Sequence, residues 1–216
     1  QLIQSSCSPE RDVMPGLRRR ALRVLLGSPS ENGPLHRGLR RGMRAALTGT
    51  PGTGKTTVAA LLPFRVIEIN ALVREEGLSV GIDEGRGCLI ADVEALEARI
   101  EELAPEGAEE IVVLEGHFSH RFAPEAIVLR TRPAVLRERL ARRGYPERKI
   151  RENLEAEALD VVLVEAVEGC HRVSEIDATR LSPEEVADLV GRLLRREISL
   201  PPGGIDWTGE VEFDPR

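Results

Sequence analysis

The stretch "GTPGTGKTT" at residues 49–57 constrains this chain more than any other feature. It fits the pattern Gly-x-x-x-x-Gly-Lys-Thr, with Gly49, Gly54, Lys55 and Thr56 at the fixed positions. Glycines at 49, 52 and 54 let the backbone bend so that its N–H groups converge into an anion nest. A helix opening at Lys55 adds the positive end of its dipole to the same point. Lys55 is then placed for the β- and γ-phosphates of a nucleotide, and the Thr56 hydroxyl for Mg²⁺. A loop of this kind works only between a buried strand and a helix. The flanking text agrees: "RAALT" (44–48) is apolar and short, and "KTTVAALL" (55–62) is helical up to Pro63.

The rest of the body alternates in the same way. "RVIEIN" (65–70) has strand alternation, and "ALVREEG" (71–77) makes one or two helical turns ended by Gly77. Residues 78–91 are Gly-rich and are expected to be irregular. Val93, Leu96, Ile100 and Leu103 share one face of a helix over 91–104. "EIVVLEG" (110–116) and "EAIVLR" (125–130) are buried strands. A helix over 133–144 has Pro133 near its first position and Gly144 at its end. Residues 146–168 are expected to form one long helix, and "HRVSEID" (171–177) the last strand. Ser182 and Glu185 form a capping box, with Pro183 at N1, for a helix over 182–197. Strands alternating with helices imply an α/β fold: a parallel sheet covered on both faces. The segment 198–216, with Pro201, Pro202, Gly203 and Gly204, is expected to be a loosely ordered tail.

Composition narrows the choice among phosphate-loop proteins. The chain has 216 residues, enough for one α/β domain with a core. It holds 28 Arg but only two Lys, Lys55 and Lys149. A guanine-reading Asn-Lys-x-Asp segment needs a lysine after asparagine. Lys55 follows Gly54 and Lys149 follows Arg148, so that segment is absent. A large motor ATPase needs more chain. A small kinase, or an ATPase of kinase-like build, remains.

Net charge is −6, but residues 1–42 carry +5 and the remainder −11. An acidic body argues against broad binding to DNA or other nucleic acid. The basic arm 1–42 is expected to be disordered or to lie outside a true start at Met43; a tail acting on RNA is the alternative. Cys7, Cys88 and Cys170 lack CxxC spacing, so neither a disulfide framework nor a zinc site is expected. A reducing, cytoplasmic setting is the simplest expectation. No apolar run approaches the roughly 18 residues of a membrane span.

A second acid is expected at the end of a neighbouring strand, holding Mg²⁺ through water. "IVVLEGHFSH" supplies Glu115 there and His117 in the loop beyond. That edge of an open α/β sheet is where ligands bind. His117 can orient a water or an acceptor oxygen; His120 is the weaker candidate. Phosphoryl transfer also needs cations aimed at oxygens. Arg74 lies between the second strand and the Gly-rich segment, and "RRGYPERKIR" (142–151) packs five cations between two helices as a candidate lid.

With these motifs together the sequence resembles the atypical adenylate kinases of archaea and the eukaryotic nucleus. The matching text is "LTGTPGTGKTT", "IEINALVREEG", "VVLEGHFSH", "VLRTRPAVLRERLARRGY" and "KIRENLEAE", in order, from Arg44 to about Arg196. The resemblance implies a three-layer P-loop NTPase fold of nucleoside-monophosphate (NMP) kinase type, with parallel sheet order 2-3-1-4-5. It implies an NMP-binding region over about 70–91 and a lid over about 142–152 within a domain spanning 43–197. ATP would be bound by Gly52, Gly54, Lys55, Thr56 and Thr57, with Arg143 from the lid. The acceptor monophosphate would be bound by Arg74 and Asn70. Glu115 and His117 match an acid-x-His motif tied to ATP hydrolysis, and Thr56 and Glu115 would hold Mg²⁺.

The activities implied are transfer of the ATP γ-phosphate to AMP or another NMP, and ATP hydrolysis. The latter accompanies transient binding of a small-subunit ribosomal protein near the rRNA 3′ end. A kinase of a non-nucleotide metabolite, or an assembly factor with incidental kinase activity, are the rival readings. Two departures stand out: Glu115 replaces the Asp of many members, and the helix after the loop is cut short by Pro63.

Overall fold

The computed structural model describes residues 3–4 (backbone only), 43–83, 88–107 and 109–211. Of the N-terminal arm, only Ile3 and Gln4 are described, paired antiparallel with Ala91 and Ile90; the expectation for the rest of the arm lies outside the described residues.

Five strands form one parallel sheet: β1 (Met43–Thr48), β2 (Arg65–Glu68), β3 (Ile111–Glu115), β4 (Glu125–Arg130) and β5 (Arg172–Asp177). Their spatial order is β2-β3-β1-β4-β5, which is the 2-3-1-4-5 order expected. Each parallel neighbour needs a crossover, and the helices supply it: α1 (Lys55–Ala59), α2 (Ile69–Glu75), α3 (Val93–Leu103), α4 (Pro133–Arg142), α5 (Glu147–Ala158), α6 (Val161–Gly169) and α7 (Pro183–Leu194).

Period-two alternation splits the strand side chains between two cores. Ala46, Val112, Leu114, Ala126 and Val128 face α2, α3 and α6, where they meet Val73, Leu96, Ile100 and Leu163. Ala45, Leu47, Val113, Ile127 and Leu129 face α1 and α7, where they meet Val58, Val186 and Val190. The central strands are therefore apolar on both sides, as a sheet between two helical layers requires. A third cluster, Leu136, Leu140, Ile150 and Leu154, joins α4 to α5.

Five expectations are corrected. Residues 79–91 are not irregular throughout: Ser79–Asp83 and Cys88–Ala91 pair antiparallel as a hairpin, with 84–87 outside the described residues. The second strand stops at Glu68 because Ile69 and Asn70 already belong to α2, and Ile69 is fully buried beneath it. Residues 146–168 form two helices, broken where Asp160 takes φ 58, a left-handed geometry that Asp tolerates better than most residues. The tail is packed as far as it is described: Glu175 N–H donates to Leu200 O, and Trp207 is buried. In addition, α1 ends at Ala59 rather than near Leu62, its last turn tightening as Leu61 and Leu62 donate to carbonyls three residues back. A short 3₁₀ turn, Ser119–Phe122, follows β3.

Candidate active site

The phosphate loop leaves β1 at Thr48 and enters α1 at Lys55. Two glycines are dictated by their surroundings. Gly49 has φ 139, and a Cβ there would lie 2.3 Å from the Leu129 carbonyl oxygen of β4. Gly52 has φ 97, and a Cβ would lie 2.7 Å from Leu136 Cδ1 of α4. The loop is therefore pressed between β4 and α4 with no room for side chains at these points. Lys55 is buried, and its Nζ donates to Gly49 O at 2.7 Å and Thr50 O at 3.0 Å. Burial lowers its pKa to about 8, against the raising effects of Glu115 and Glu157; Arg143 lowers it further.

Glu115 ends β3, in register with Glu68 of β2 and Leu47 of β1. It is 5% exposed, and the Thr56 hydroxyl donates to its Oε1 at 3.3 Å. Burial pushes the Glu115 carboxyl up; Lys55 pulls it down, Glu68 pushes it up, and the Thr56 hydrogen bond pulls it down. Glu68 was not singled out from the sequence, because in "RVIEIN" it alternates onto an exposed position. Among the described residues no group of three or more His, Cys, Asp or Glu could hold a metal ion. One hydroxyl and one carboxylate instead offer hard oxygen donors beside the phosphate loop. That donor set fits Mg²⁺, which binds through one or two carboxylates together with substrate phosphates.

Beyond β3, His117 is half-buried and its ring meets Phe118 edge-on, 4.8 Å between centroids. The Thr48 hydroxyl donates to His117 O at 3.0 Å, tying this loop to the root of the phosphate loop. His120 is 2% exposed, with Nδ1 3.3 Å from Thr48 Oγ1 and Nε2 3.4 Å from Glu165 Oε2. Burial would raise Glu165, but the hydrogen bond and charge of His120, with Arg121 and His117, bring it below the ordinary carboxylate range. His120 is thus buried under the site, while His117 stands at its surface.

Arg143 is exposed at the C-terminal end of α4, one turn beyond Arg139. Arg139 Nη1 donates to Thr53 O at 3.4 Å and Nη2 to Ala178 O at 3.4 Å. Burial lowers the Arg139 pKa, and the charges of Arg143 and Arg142 lower it further. Asn70 and Arg74 lie exposed on α2, beyond the end of β2, and Arg74 falls in its last turn. Of the residues picked from sequence, Gly52, Gly54, Lys55, Thr56 and Glu115 are gathered at the phosphate loop, and Arg143 bears on Lys55 through its charge. Thr57 is exposed on the first turn of α1.

Sequence reasoning missed a buried network beneath the loop. Arg130, 1% exposed at the end of β4, donates through Nε to Glu157 Oε1 (2.9 Å), through Nη1 to Glu175 Oε1 (2.6 Å), and through Nη2 to Asp160 Oδ1 (2.5 Å) and Glu157 O (2.9 Å). Burial works against its charge, but Glu157, Asp160 and Glu175 more than reverse that and hold it protonated. Glu157 also accepts the Thr50 hydroxyl in a short hydrogen bond. The available signal was the helical period, which puts Glu157 on the same face as Ile150 and Leu154, an acid where a core residue is expected.

A family profile described as an AAA domain matches residues 46–160. The protein named "Putative adenylate kinase" in Methanosarcina barkeri is 45% identical over 177 residues, covering 76% of this chain and 97% of that protein. Its namesake in Methanothermobacter thermautotrophicus is 48% identical over 169 residues, covering 76% of this chain and 96% of that protein. Among solved structures, the chain is similar to shikimate kinase from Acinetobacter baumannii in complex with shikimate. The TM-score is 0.49 at 15% identity, covering 74% of this chain and 96% of that one.

Proposed function

This chain belongs to the adenylate-kinase-like family of its archaeal relatives, and from that premise we propose that it transfers the γ-phosphate of ATP to AMP or another nucleoside monophosphate. The observation that carries the proposal is the joining of Lys55, Thr56 and Glu115 at one end of the sheet, with Arg139 and Arg143 on the other side of the loop. In this reading the loop N–H groups and Lys55 hold the β- and γ-phosphates, with Gly52, Gly54 and Thr57 shaping and extending the cradle. Mg²⁺ held by Thr56 and Glu115 would offset charge on the transferring oxygens. Arg143 swings from its exposed turn onto ATP and helps exclude water. Asn70 and Arg74, at the carboxyl end of β2, hold the acceptor monophosphate facing the γ-phosphate.

The reading extends to ATP hydrolysis, with His117 orienting water, and to a role in small-ribosomal-subunit maturation through a transient ribosomal-protein partner in the cytoplasm. Its support is the resemblance of "VVLEGHFSH" and "KIRENLEAE" together with the place of His117 beside Glu115.

The deciding experiment is chromatography of purified protein with Mg²⁺ and ATP, with and without AMP. ADP formed only when AMP is present establishes transfer; ADP from ATP alone establishes hydrolysis. Lys55→Ala, in a folded protein, is expected to reduce both by orders of magnitude. Near-parental turnover by that variant would overturn the phosphate-loop assignment. Retention of an isolated small-subunit ribosomal protein, compared with and without ATP, tests the assembly role.

A further inference from the structure

Helix α5 begins in the arginine-bearing turn and ends at the phosphate loop. Its first residues, Arg148 and Arg151, are exposed, while Ile150, Asn153, Leu154, Glu157 and Ala158 line its buried face. Arg148 and Glu157 are nine residues apart, about 13 Å along a rigid helix. Ile150 and Leu154 pack on Leu136 and Leu140 of α4, the same two leucines that press against Gly52.

Glu157 is a carboxylate with 2% exposure, and every donor it meets is accounted for. Oε1 accepts Arg130 Nε and Thr131 N, both at 2.9 Å, and Oε2 accepts the Thr50 hydroxyl. Three carboxylates, Glu157, Asp160 and Glu175, face the single guanidinium of Arg130. One Arg–carboxylate pair would suffice for charge balance, so the demand for Arg130 does not explain why Glu157 also reaches into the loop. Thr50 does. Its carbonyl accepts Lys55 Nζ at 3.0 Å, the Thr53 N–H at 3.3 Å and the Thr53 hydroxyl at 3.0 Å. Where Thr50 sits therefore decides the shape of the loop's first turn and the place of Lys55.

We propose that Glu157 is a positioning residue for the phosphate loop, holding Thr50 so that the grip on a triphosphate depends on how α5 is seated. The proposal rests on the kinase reading and deepens it. A helix whose one end carries lid arginines and whose other end fixes the loop sets both sides of the nucleotide together.

The test uses the full chain as parent, Thr50→Val, Thr50→Ser, Glu157→Gln and the double variant Thr50→Val/Glu157→Gln. Dissociation constants for MgATP come from calorimetry, kcat and KM from ADP formation with AMP, and melting temperatures from thermal unfolding. Thr50→Val removes a hydroxyl bonded to a charged acceptor and is expected to weaken MgATP binding about tenfold, with a smaller change in kcat. Thr50→Ser restores the hydroxyl and the affinity. Glu157→Gln weakens binding in the same direction, and the double variant binds no worse than the weaker single, because both cut one link. Thr50→Val binding MgATP within twofold of the parent, or singles that add in the double variant, overturns the proposal. So does a melting temperature that falls while the MgATP constant holds, since that marks Glu157 as structural only. A parent that fails to bind MgATP overturns the kinase reading itself, whereas unchanged binding by Thr50→Val overturns Glu157 alone.

Discussion

The Thr56 hydroxyl donates to Glu115 Oε1 at 3.3 Å, joining the first turn of α1 to the end of β3 across the neighbouring strand register. Two oxygens from different elements are thereby held side by side at the mouth of the phosphate loop. Glu115→Gln keeps the shape and one acceptor but removes the charge. Transfer from ATP is expected to fall about 10²-fold, the scale of losing one preorganised electrostatic group, and half-saturation by Mg²⁺ to move upward. Parental kcat with unchanged Mg²⁺ dependence would show that the second acid takes no part.

Arg74 and His117 should divide the fate of the phosphate between them. Arg74 is exposed on α2 and His117 lies in the loop after β3. Arg74→Ala is expected to abolish ADP formation from ATP plus AMP while leaving hydrolysis of ATP largely intact. His117→Ala should lower hydrolysis more than transfer. Timing both reactions on the same preparations decides it: equal losses in both would mean one undivided centre with slow leakage to water.

The described part of the C-terminal segment, up to residue 211, packs onto the folded domain. Gly203 and Gly204 N–H groups donate to Glu175 Oε2 at 2.8 and 3.1 Å, and Trp207 lies under Arg132, whose guanidinium carbon is 5.3 Å from the ring centroid. A chain ending at Pro202 loses those two donors to a buried carboxylate and the packing of a large aromatic. The expected loss of stability is about 3 kcal/mol or more. Urea denaturation measures it, and an unchanged midpoint would show that the tail merely lies on the surface.

Cys170 should be a slow thiol. Burial and, secondarily, Glu125 push it up to about 11, and its Sγ donates to His120 O at 3.2 Å. Because the shift is upward from the ordinary thiol value, the neutral thiol persists through physiological pH, leaving roughly a hundredfold less reactive thiolate than a free cysteine. Mass spectrometry of the Cys170 peptide after brief iodoacetamide treatment should find little label at pH 7.5 and rapid labelling only toward pH 11. Labelling at the pace of an unfolded control at pH 7.5 would contradict the placement.

Much of the candidate site is legible in the sequence, because its chemistry is local. Gly49 to Thr57 form one contiguous loop between strand and helix, and the apolar run before Glu115 marks a strand end. Where the reading failed, the deciding forces were not local. Ile69 alternates like a strand residue yet starts a helix, because it is buried among Val73, Leu96 and Leu114. Residues 146–168 have an unbroken helical composition, but Arg130 holds Asp160 at the corner between two helices.

The sequence by itself therefore determined the phosphate loop, the parallel α/β class and the acid at the end of β3, since each follows from residue types a few positions apart. Only the tertiary structure decided what supports the loop. Glu157 and Glu175 lie 107 and 125 residues beyond Thr50 in the chain, and although helical and strand periods put them on the faces of Leu154 and Val173, nothing local names the partners that make an acid tolerable there. They are buried because Arg130 at the end of β4 supplies the charge and Thr50, Gly203 and Gly204 supply the donors that make burying them tolerable. Those partners meet only once the sheet has closed in its 2-3-1-4-5 order.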